Sequence, residues 1–220
     1  MKSFDRVALT AILAEGARNL SLTLSEAQLT RLIDYLALML KWNSVYNLTA
    51  VRDPVQMVTQ HLLDSLAAVS AFDGAQNVLD VGAGGGLPGI VLAIWAAEAQ
   101  PAMRISMIDT VHKKTAFLTQ VKAELNLTNV NVYTARVEQW NAPQKFDVIT
   151  SRAFAELSDF ITWSQHLLAD DGTFIALKGV APDAEVARLP AGWKVTEVRA
   201  LHVPTLQAER HLVFIKREKP

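Results

Sequence analysis

Between Val78 and Gly89 the chain reads Val-Leu-Asp-Val-Gly-Ala-Gly-Gly-Gly-Leu-Pro-Gly: a short apolar run, a turn packed with glycine, then a proline suited to a helix's first turn. No other string restricts the fold as much. Without a Cβ, Gly82, Gly84 and Gly86 let the backbone take φ > 0 and come close to a ligand. A helix opening at Pro88 would add free N–H groups and the positive end of its dipole. Strand, bare turn and helix start together make a nucleotide-type cofactor site.

The flanking sequence fixes the architecture around that turn. From Asn77 onward, β-type runs at 78–81, 105–108, 130–133, 146–150 and 173–177 alternate with helical runs at 88–98, 113–125 and 156–168. Such alternation implies a parallel sheet with right-handed crossovers and helices on both faces. Beyond Lys178, extended runs at 194–203 and 210–216 follow with no helix-length segment between them, so they should pair as an antiparallel hairpin at one edge. The chain up to Phe72 looks helical instead. Ser25 with Gln28 makes a capping box, and Leu29, Leu32, Ile33, Leu36 and Leu40 recur at helical spacing. Asp53-Pro54 is an N-cap and first-turn pair for a further helix through Val55, Val58, Leu62 and Leu66. The expected fold is α/β: a Rossmann-like, mostly parallel sheet closed by a C-terminal antiparallel hairpin (75–220), preceded by a helical segment (1–74) packed on it.

Composition removes several function classes. With 220 residues, 50% hydrophobic and 20% charged, the chain can bury one sizeable core. A net charge of −1 means that any nucleic acid must be held by a local basic patch. The absence of cysteine excludes disulfides, thiolate metal sites and cysteine nucleophiles, and fits a reducing cytoplasm. The longest apolar stretch, 90–97, is far short of the roughly 18 residues of a membrane span, and Met-Lys-Ser-Phe-Asp-Arg at the N-terminus lacks a signal-peptide core. A cytoplasmic protein with no membrane partner and no metal is expected.

The glycines alone allow two cofactors. Asp80-x-Gly82-x-Gly84-x-Gly86 is the acid-plus-glycines turn typical of S-adenosylmethionine-dependent methyltransferases; two residues later, Gly84-x-Gly86-x-x-Gly89 satisfies the dinucleotide fingerprint of a nicotinamide oxidoreductase. Asp109, at the end of the second strand, would bind ribose hydroxyls in either case. Context favours the first register, because a long helical segment precedes the turn and the hairpin ends the chain. A Walker-type loop is excluded, since no Gly-Lys-Ser/Thr follows. A regulator that binds the cofactor without turnover is the non-enzymatic alternative.

Several strings together resemble the bacterial glucose-inhibited-division-B family of 16S ribosomal RNA methyltransferases. They are Lys41-Trp-Asn-Ser-Val-Tyr-Asn-Leu-Thr49, His61-Leu-Leu-Asp-Ser65, the loop from Asp80 to Gly89, Arg136-Val-Glu138, Ser151-Arg-Ala-Phe154, Ala176-Leu-Lys-Gly179 and Glu209-Arg-His-Leu212. The resemblance covers nearly the whole chain and implies a class I methyltransferase sheet, S-adenosyl-L-methionine as cofactor, and methylation of guanine nitrogen 7 in the 530 loop of 16S rRNA. Carried over by position, Gly82, Gly84, Gly86 and Leu87 would line the cofactor, with Asp109 on its ribose. Val137 and Glu138 would flank the adenine, and Arg152 would make a further contact.

Two absences bear on the acceptor. The Asn/Asp-Pro-Pro-aromatic string that often serves exocyclic amines is replaced by Thr150-Ser-Arg-Ala-Phe154, and carbon-5 methylation of pyrimidines would need a cysteine. A ring nitrogen with its own lone pair needs neither, and no general base, so catalysis would consist of alignment and exclusion of water. His61, Asp64 and Ser65 share one helix face. A hydrolase triad is one reading, but a helical serine lacks the strained turn that exposes such a nucleophile; a polar network tying helix to sheet, or a pocket wall, is the other. Trp42 and Tyr46 are either core or base-stacking aromatics. Asn47, Lys113, Lys114, Lys178, Arg199 and Arg210 are the candidate RNA contacts, with the target base turned out of its stack. A monomer is expected.

Overall fold

The structure is a computed structural model that describes residues 4–218; Met1, Lys2 and Ser3 of the N-terminal string lie outside the described residues. Helix α1 (Arg6–Asn19) starts where the Asp5 carboxylate accepts the Ala8 N–H. Helix α2 (Glu26–Tyr46) opens on the expected capping box: Ser25 Oγ accepts from the Gln28 N–H and the Gln28 side chain accepts from the Ser25 N–H. Asp53 caps α3 (Pro54–Met57), with Pro54 at the first helical position. The chain then continues as a π-helical turn, Val58–Leu63, and a short α4 (Asp64–Leu66). Val58, Leu62 and Leu66 are buried as expected, but Val55 is not. The inward face of α3 is Pro54 and Met57, which turns Val55 to solvent.

Seven strands follow: β1 (Asn77–Val81), β2 (Arg104–Asp109), β3 (Val130–Thr134), β4 (Phe146–Arg152), β5 (Leu168–Lys178), β6 (Trp193–Ala200) and β7 (His211–Arg217). Their order is β3-β2-β1-β4-β5-β7-β6, parallel from β3 to β5 and antiparallel for the last two neighbours. The terminal hairpin therefore sits at one edge, inserted with β7 against β5. Helices α5 (Gly89–Ala99), α6 (His112–Glu124) and α7 (Leu157–Ser164) form the crossovers, and a four-residue α8 (Asp183–Val186) lies between β5 and β6. Two boundaries move. Helix α7 tightens into a 3₁₀ turn at Gln165–Leu167, and β5 already starts at Leu168, opposite Phe146.

Helix α5 is apolar on every side, with Ile90, Val91, Leu92, Ala93 and Ile94 all buried. A helix of that kind needs cover on both faces. The sheet supplies one and the helical segment the other, so α1, α2, α5 and α6 share one hydrophobic cluster with the near face of the sheet. Polar bonds fix the contact: Gln28 Nε2 donates to the Trp95 carbonyl (3.1 Å), Trp42 Nε1 to Gln120 Oε1 (2.9 Å) and the Tyr35 hydroxyl to the Gly85 carbonyl (2.5 Å). The far face packs on α7 through Phe160 and Phe174. The order of strands reverses between β1 and β4, where an open α/β sheet leaves a crevice at its carboxyl edge. Gly82, Asp109 and Arg152 stand at or just beyond the strand ends along that edge. No described helix is long and apolar enough to cross a membrane.

Candidate cofactor cleft and its rims

The glycines of the turn do different jobs. Gly82, Gly84 and Gly86 all have positive φ (67°, 56° and 88°), as the sequence requires. A Cβ on Gly82 would stand 2.3 Å from Phe154 Cδ2, whereas one on Gly84 would meet nothing closer than the Gly82 carbonyl at 3.7 Å. Gly84 is thus open where Gly82 is packed. At Gly86 a Cβ would strike Ile90 and Leu118, so this glycine is required by packing, and it lines none of the three cavities described below. Gly89 is packed likewise, against Met107 and Asp80, so of the three glycines in the dinucleotide register only Gly84 has room for a Cβ.

The helix start is also not free. Pro88 stands at the N-cap, after a cis peptide bond from Leu87, and the Gly89 N–H donates to Asp80 Oδ2 (2.9 Å). The Ile90 N–H goes to the Gly86 carbonyl (2.8 Å). Asp80 is fully buried and its other oxygen has no partner among the described residues. Burial pushes its pKa from 3.8 up to about 7, against the opposing pull of the Gly89 N–H and Arg152. The acid of the turn therefore holds the fold of the loop, and the acid that faces the cleft is Asp109. Its Oδ1 accepts the Val111 N–H (2.9 Å), its Oδ2 accepts the Gly84 N–H (3.0 Å), and Lys114 Nζ lies 3.6 Å from Oδ2.

Three cavities adjoin at Ala153, itself at φ 52°, just past β4. The first, about 320 Å³, runs from Gly82 past Asp109 to Val137, Glu138 and Trp163. The second, about 190 Å³, lies under the turn against Leu87, Thr49 and Arg152. The third, about 350 Å³, opens between Arg152, Lys178 and Arg210. The sequence reading thus placed Gly82, Gly84, Leu87, Asp109, Val137, Glu138 and Arg152 along one connected edge. It missed Phe154 and Trp163, whose rings meet edge to face at 5.8 Å across the first cavity's wall. Phe154 lay in a quoted string; for Trp163 the sequence held no signal beyond its place in a helix.

The basic candidates separate sharply. Asp64, 3% exposed, receives Arg152 Nη1 at 2.9 Å and Arg210 Nε at 2.8 Å. This is the polar network between helix and sheet, and it excludes the triad: His61 Nε2 is bonded to Thr49 Oγ1 (2.9 Å), and Ser65 Oγ is buried without a partner among the described residues. Burial and the nearby Arg152 lower the His61 pKa from 6.5 to about 4. Lys178 is held by Glu185 (2.7 Å), and Arg199 by Glu197 through two bonds (2.7 and 3.0 Å). Lys114 belongs to the cleft rather than the surface. Lys113 lies over the Tyr46 ring, 5.4 Å from its centroid, and the Asn47 side chain accepts from Arg52 Nη2 (3.0 Å). Trp42 packs half-buried between Phe117 and Tyr46, as a core residue, while Tyr46 stays exposed.

With the cleft in place, the chain can be set beside known proteins. The model of the GidB family, described as rRNA small subunit methyltransferase G, matches residues 28–213. The chain belongs to this family. It is 85% identical over 217 residues to the ribosomal RNA small subunit methyltransferase G of Janthinobacterium sp. (strain Marseille), covering 99% of both chains. It is 53% identical to that of Burkholderia pseudomallei (strain K96243) over 219 residues, covering 96% of this chain and 94% of the relative. Among solved structures, TrmN from Thermus thermophilus superposes with a TM-score of 0.54 at 16% identity, covering 73% of this chain and 53% of its own. The ribosomal protein L11 methylase of Lactobacillus delbrueckii subsp. bulgaricus gives 0.53 at 18%, covering 71% and 77%. These two show the methyltransferase fold. As a GidB-family member the chain is an enzyme, a methyltransferase whose methyl donor is S-adenosyl-L-methionine.

Proposed function

We propose that this methyltransferase acts on 16S ribosomal RNA and transfers the methyl group to nitrogen 7 of a guanine in the 530 loop. The relatives are named for small subunit ribosomal RNA, which supports the substrate class. One observation carries the position and the mechanism: every carboxylate lining the three cavities is engaged by a cation. Asp109 faces Lys114, Glu138 faces Arg136 (3.4 Å), and Asp64 faces Arg152 and Arg210. Each of these carboxylates is held in an ion pair instead of standing alone toward the substrate. Methylation of an amine ends with loss of a proton, whereas guanine nitrogen 7 offers a lone pair and loses none, so this cleft suits it without a general base.

The donor set fits the cofactor. When bound, S-adenosylmethionine supplies an electrophilic methyl group on a sulfonium. In our reading Asp109 accepts from the ribose hydroxyls, Val137 and Glu138 flank the adenine in the first cavity, and Gly82, Gly84 and Leu87 border the methionine end beneath the turn. Arg152, shared by the second and third cavities, stands between donor and acceptor and fixes their approach. The chain then contributes in-line alignment and exclusion of water. The test is incubation with labelled S-adenosylmethionine and either deproteinised 16S rRNA or small subunits. Borohydride reduction and aniline cleavage then map the product, because they cut at 7-methylguanosine. One cut within the 530 loop is expected; label that resists cleavage, or cuts elsewhere, overturns the reading.

A further inference from the structure

Four residues beside the glycine turn line none of the three cavities: Tyr46, Asn47, Arg52 and Lys113. Tyr46 closes α2 and is 42% exposed; Val45, beside it in the chain, is exposed as well. One side of its ring leans on Trp42, with centroids 5.1 Å apart, and Lys113 lies over the ring from the first turn of α6. Asn47 turns the chain through a left-handed φ of 50° and binds Arg52. Among the described residues no carboxylate pairs with Arg52 or Lys113, although Arg152, Lys178, Arg199 and Arg210 are all paired.

The chain ties this patch to the site. Leu48 and Thr49, directly after Asn47, and Lys114, directly after Lys113, line the cavity under the glycine turn. An exposed aromatic ring flanked by unpaired cations is the arrangement that takes a nucleotide, ring on base and cation on phosphate. Lys113 is on a flexible four-carbon stem, so its ammonium can leave the ring for a phosphate. We infer that Tyr46 is a stacking platform for an unpaired base next to the acceptor guanine, with Arg52 and Lys113 on the neighbouring phosphates. The inference rests on RNA being the substrate, as proposed above.

The experiment uses a 530-loop RNA hairpin carrying 2-aminopurine at each nucleotide flanking the acceptor in turn, with wild type, Tyr46→Ala, Tyr46→Phe, Lys113→Glu and Arg52→Glu. S-adenosylhomocysteine binding by calorimetry serves as the control for folding. Tyr46→Ala should weaken RNA binding about 5- to 100-fold and abolish quenching at one flanking position, while Tyr46→Phe keeps both. Each charge reversal should weaken binding and flatten the plot of log K against log salt by about one. All should bind S-adenosylhomocysteine as wild type does. If Tyr46→Ala fails that control, the two charge reversals decide. Unchanged RNA affinity and quenching in the variants, with a wild type that methylates the same RNA, overturns the platform alone. A loss confined to assembled subunits, absent with naked RNA, assigns the patch to a protein and overturns it too. A wild type that neither binds nor methylates RNA overturns the RNA reading itself.

Discussion

The two rims of the cleft use their cations differently. On the rim built by β4, β5 and the hairpin, Arg152 and Arg210 close on Asp64 and Lys178 on Glu185. On the rim built by α2 and α6, Arg52 and Lys113 meet an amide and an aromatic ring. The first rim spends its charge within the molecule, and its Asp64 pairs lock the helical segment to the sheet. The second leaves it for a partner. With a net charge of −1, the chain has a field toward RNA only where acids are absent, so the position of unpaired cations matters more than their total.

The largest test of this contrast is Asp64→Ala. The change removes a nearly buried carboxylate from two guanidiniums whose side chains are 22% and 25% exposed, leaving Arg152 only the Gln60 carbonyl and Arg210 only the Glu209 carbonyl, with no counter-charge for either. Breaking such a pair costs about 3 kcal/mol, and the loss should appear as a lower urea midpoint with an unchanged m-value. A stability within experimental error of wild type would mean that the ionic rim is not structural. Asp109→Ala probes the ground between the rims. It removes the acceptor expected on the ribose and the partner of the Gly84 and Val111 N–H groups, and with charge-assisted bonds worth about 1.5–3 kcal/mol the cofactor dissociation constant should rise roughly 10- to 100-fold. Calorimetry with S-adenosylhomocysteine measures it; unaltered affinity would take Asp109 off the ribose.

Much of this was legible in the sequence, and the failures have one cause. The sheet, its hairpin and the capping box follow from local periodicity and local chemistry, and the structure reproduces them. The glycine turn was legible as a turn, but which glycine faces a ligand depends on what Ile90, Leu118 and Met107 do across the interior, and no spacing encodes that. The same holds for charge. Asp64 lies 88 residues from Arg152 and 146 from Arg210, so their pairing is a product of topology. Lys113 and Lys114, adjacent in sequence and read alike, diverge because the first turn of α6 sends one to the Asp109 carboxylate and the other to the Tyr46 ring. Reversal of both together would therefore disturb cofactor and RNA at once; only Lys113 isolates the rim.

Arg199 offers a smaller test of what pairing with an acid does to a cation. Its exposed guanidinium makes two bonds to Glu197, which holds that carboxyl below its usual range. Arg199→Gln should leave RNA affinity and its salt slope unchanged, since this charge is already neutralised. Glu197→Gln should steepen the slope by up to about one, by releasing the arginine to a phosphate. Filter binding across a salt series reads both. A loss of affinity in Arg199→Gln would show that pairing with an acid does not take a cation out of RNA binding, and the contrast between the rims would fail.

The smallest effect expected in the wild type is a cancellation behind the cleft wall. His61, buried and facing Arg152, titrates near 4 instead of 6.5; between those values the unfolded chain holds a proton that the folded chain does not, so stability rises with pH. Asp80, buried beneath the turn, titrates near 7 instead of 3.8; over that window the folded chain holds the extra proton, so stability falls as pH rises. From about pH 4 to 6.5 the two contributions oppose each other, one proton against one, and the pair adds little net slope. Each variant should uncover the other group. Asp80→Asn, which keeps an acceptor for the Gly89 N–H, should gain stability with pH relative to wild type, by up to about 1.4 kcal/mol per unit. His61→Gln should lose stability with pH over the same window. Urea midpoints at half-unit steps decide the matter, and parallel curves for all three proteins would show that burial does not displace these two protonations. Arg152 disfavours the proton on both groups, so the cation that anchors the paired rim also sets where the balance lies.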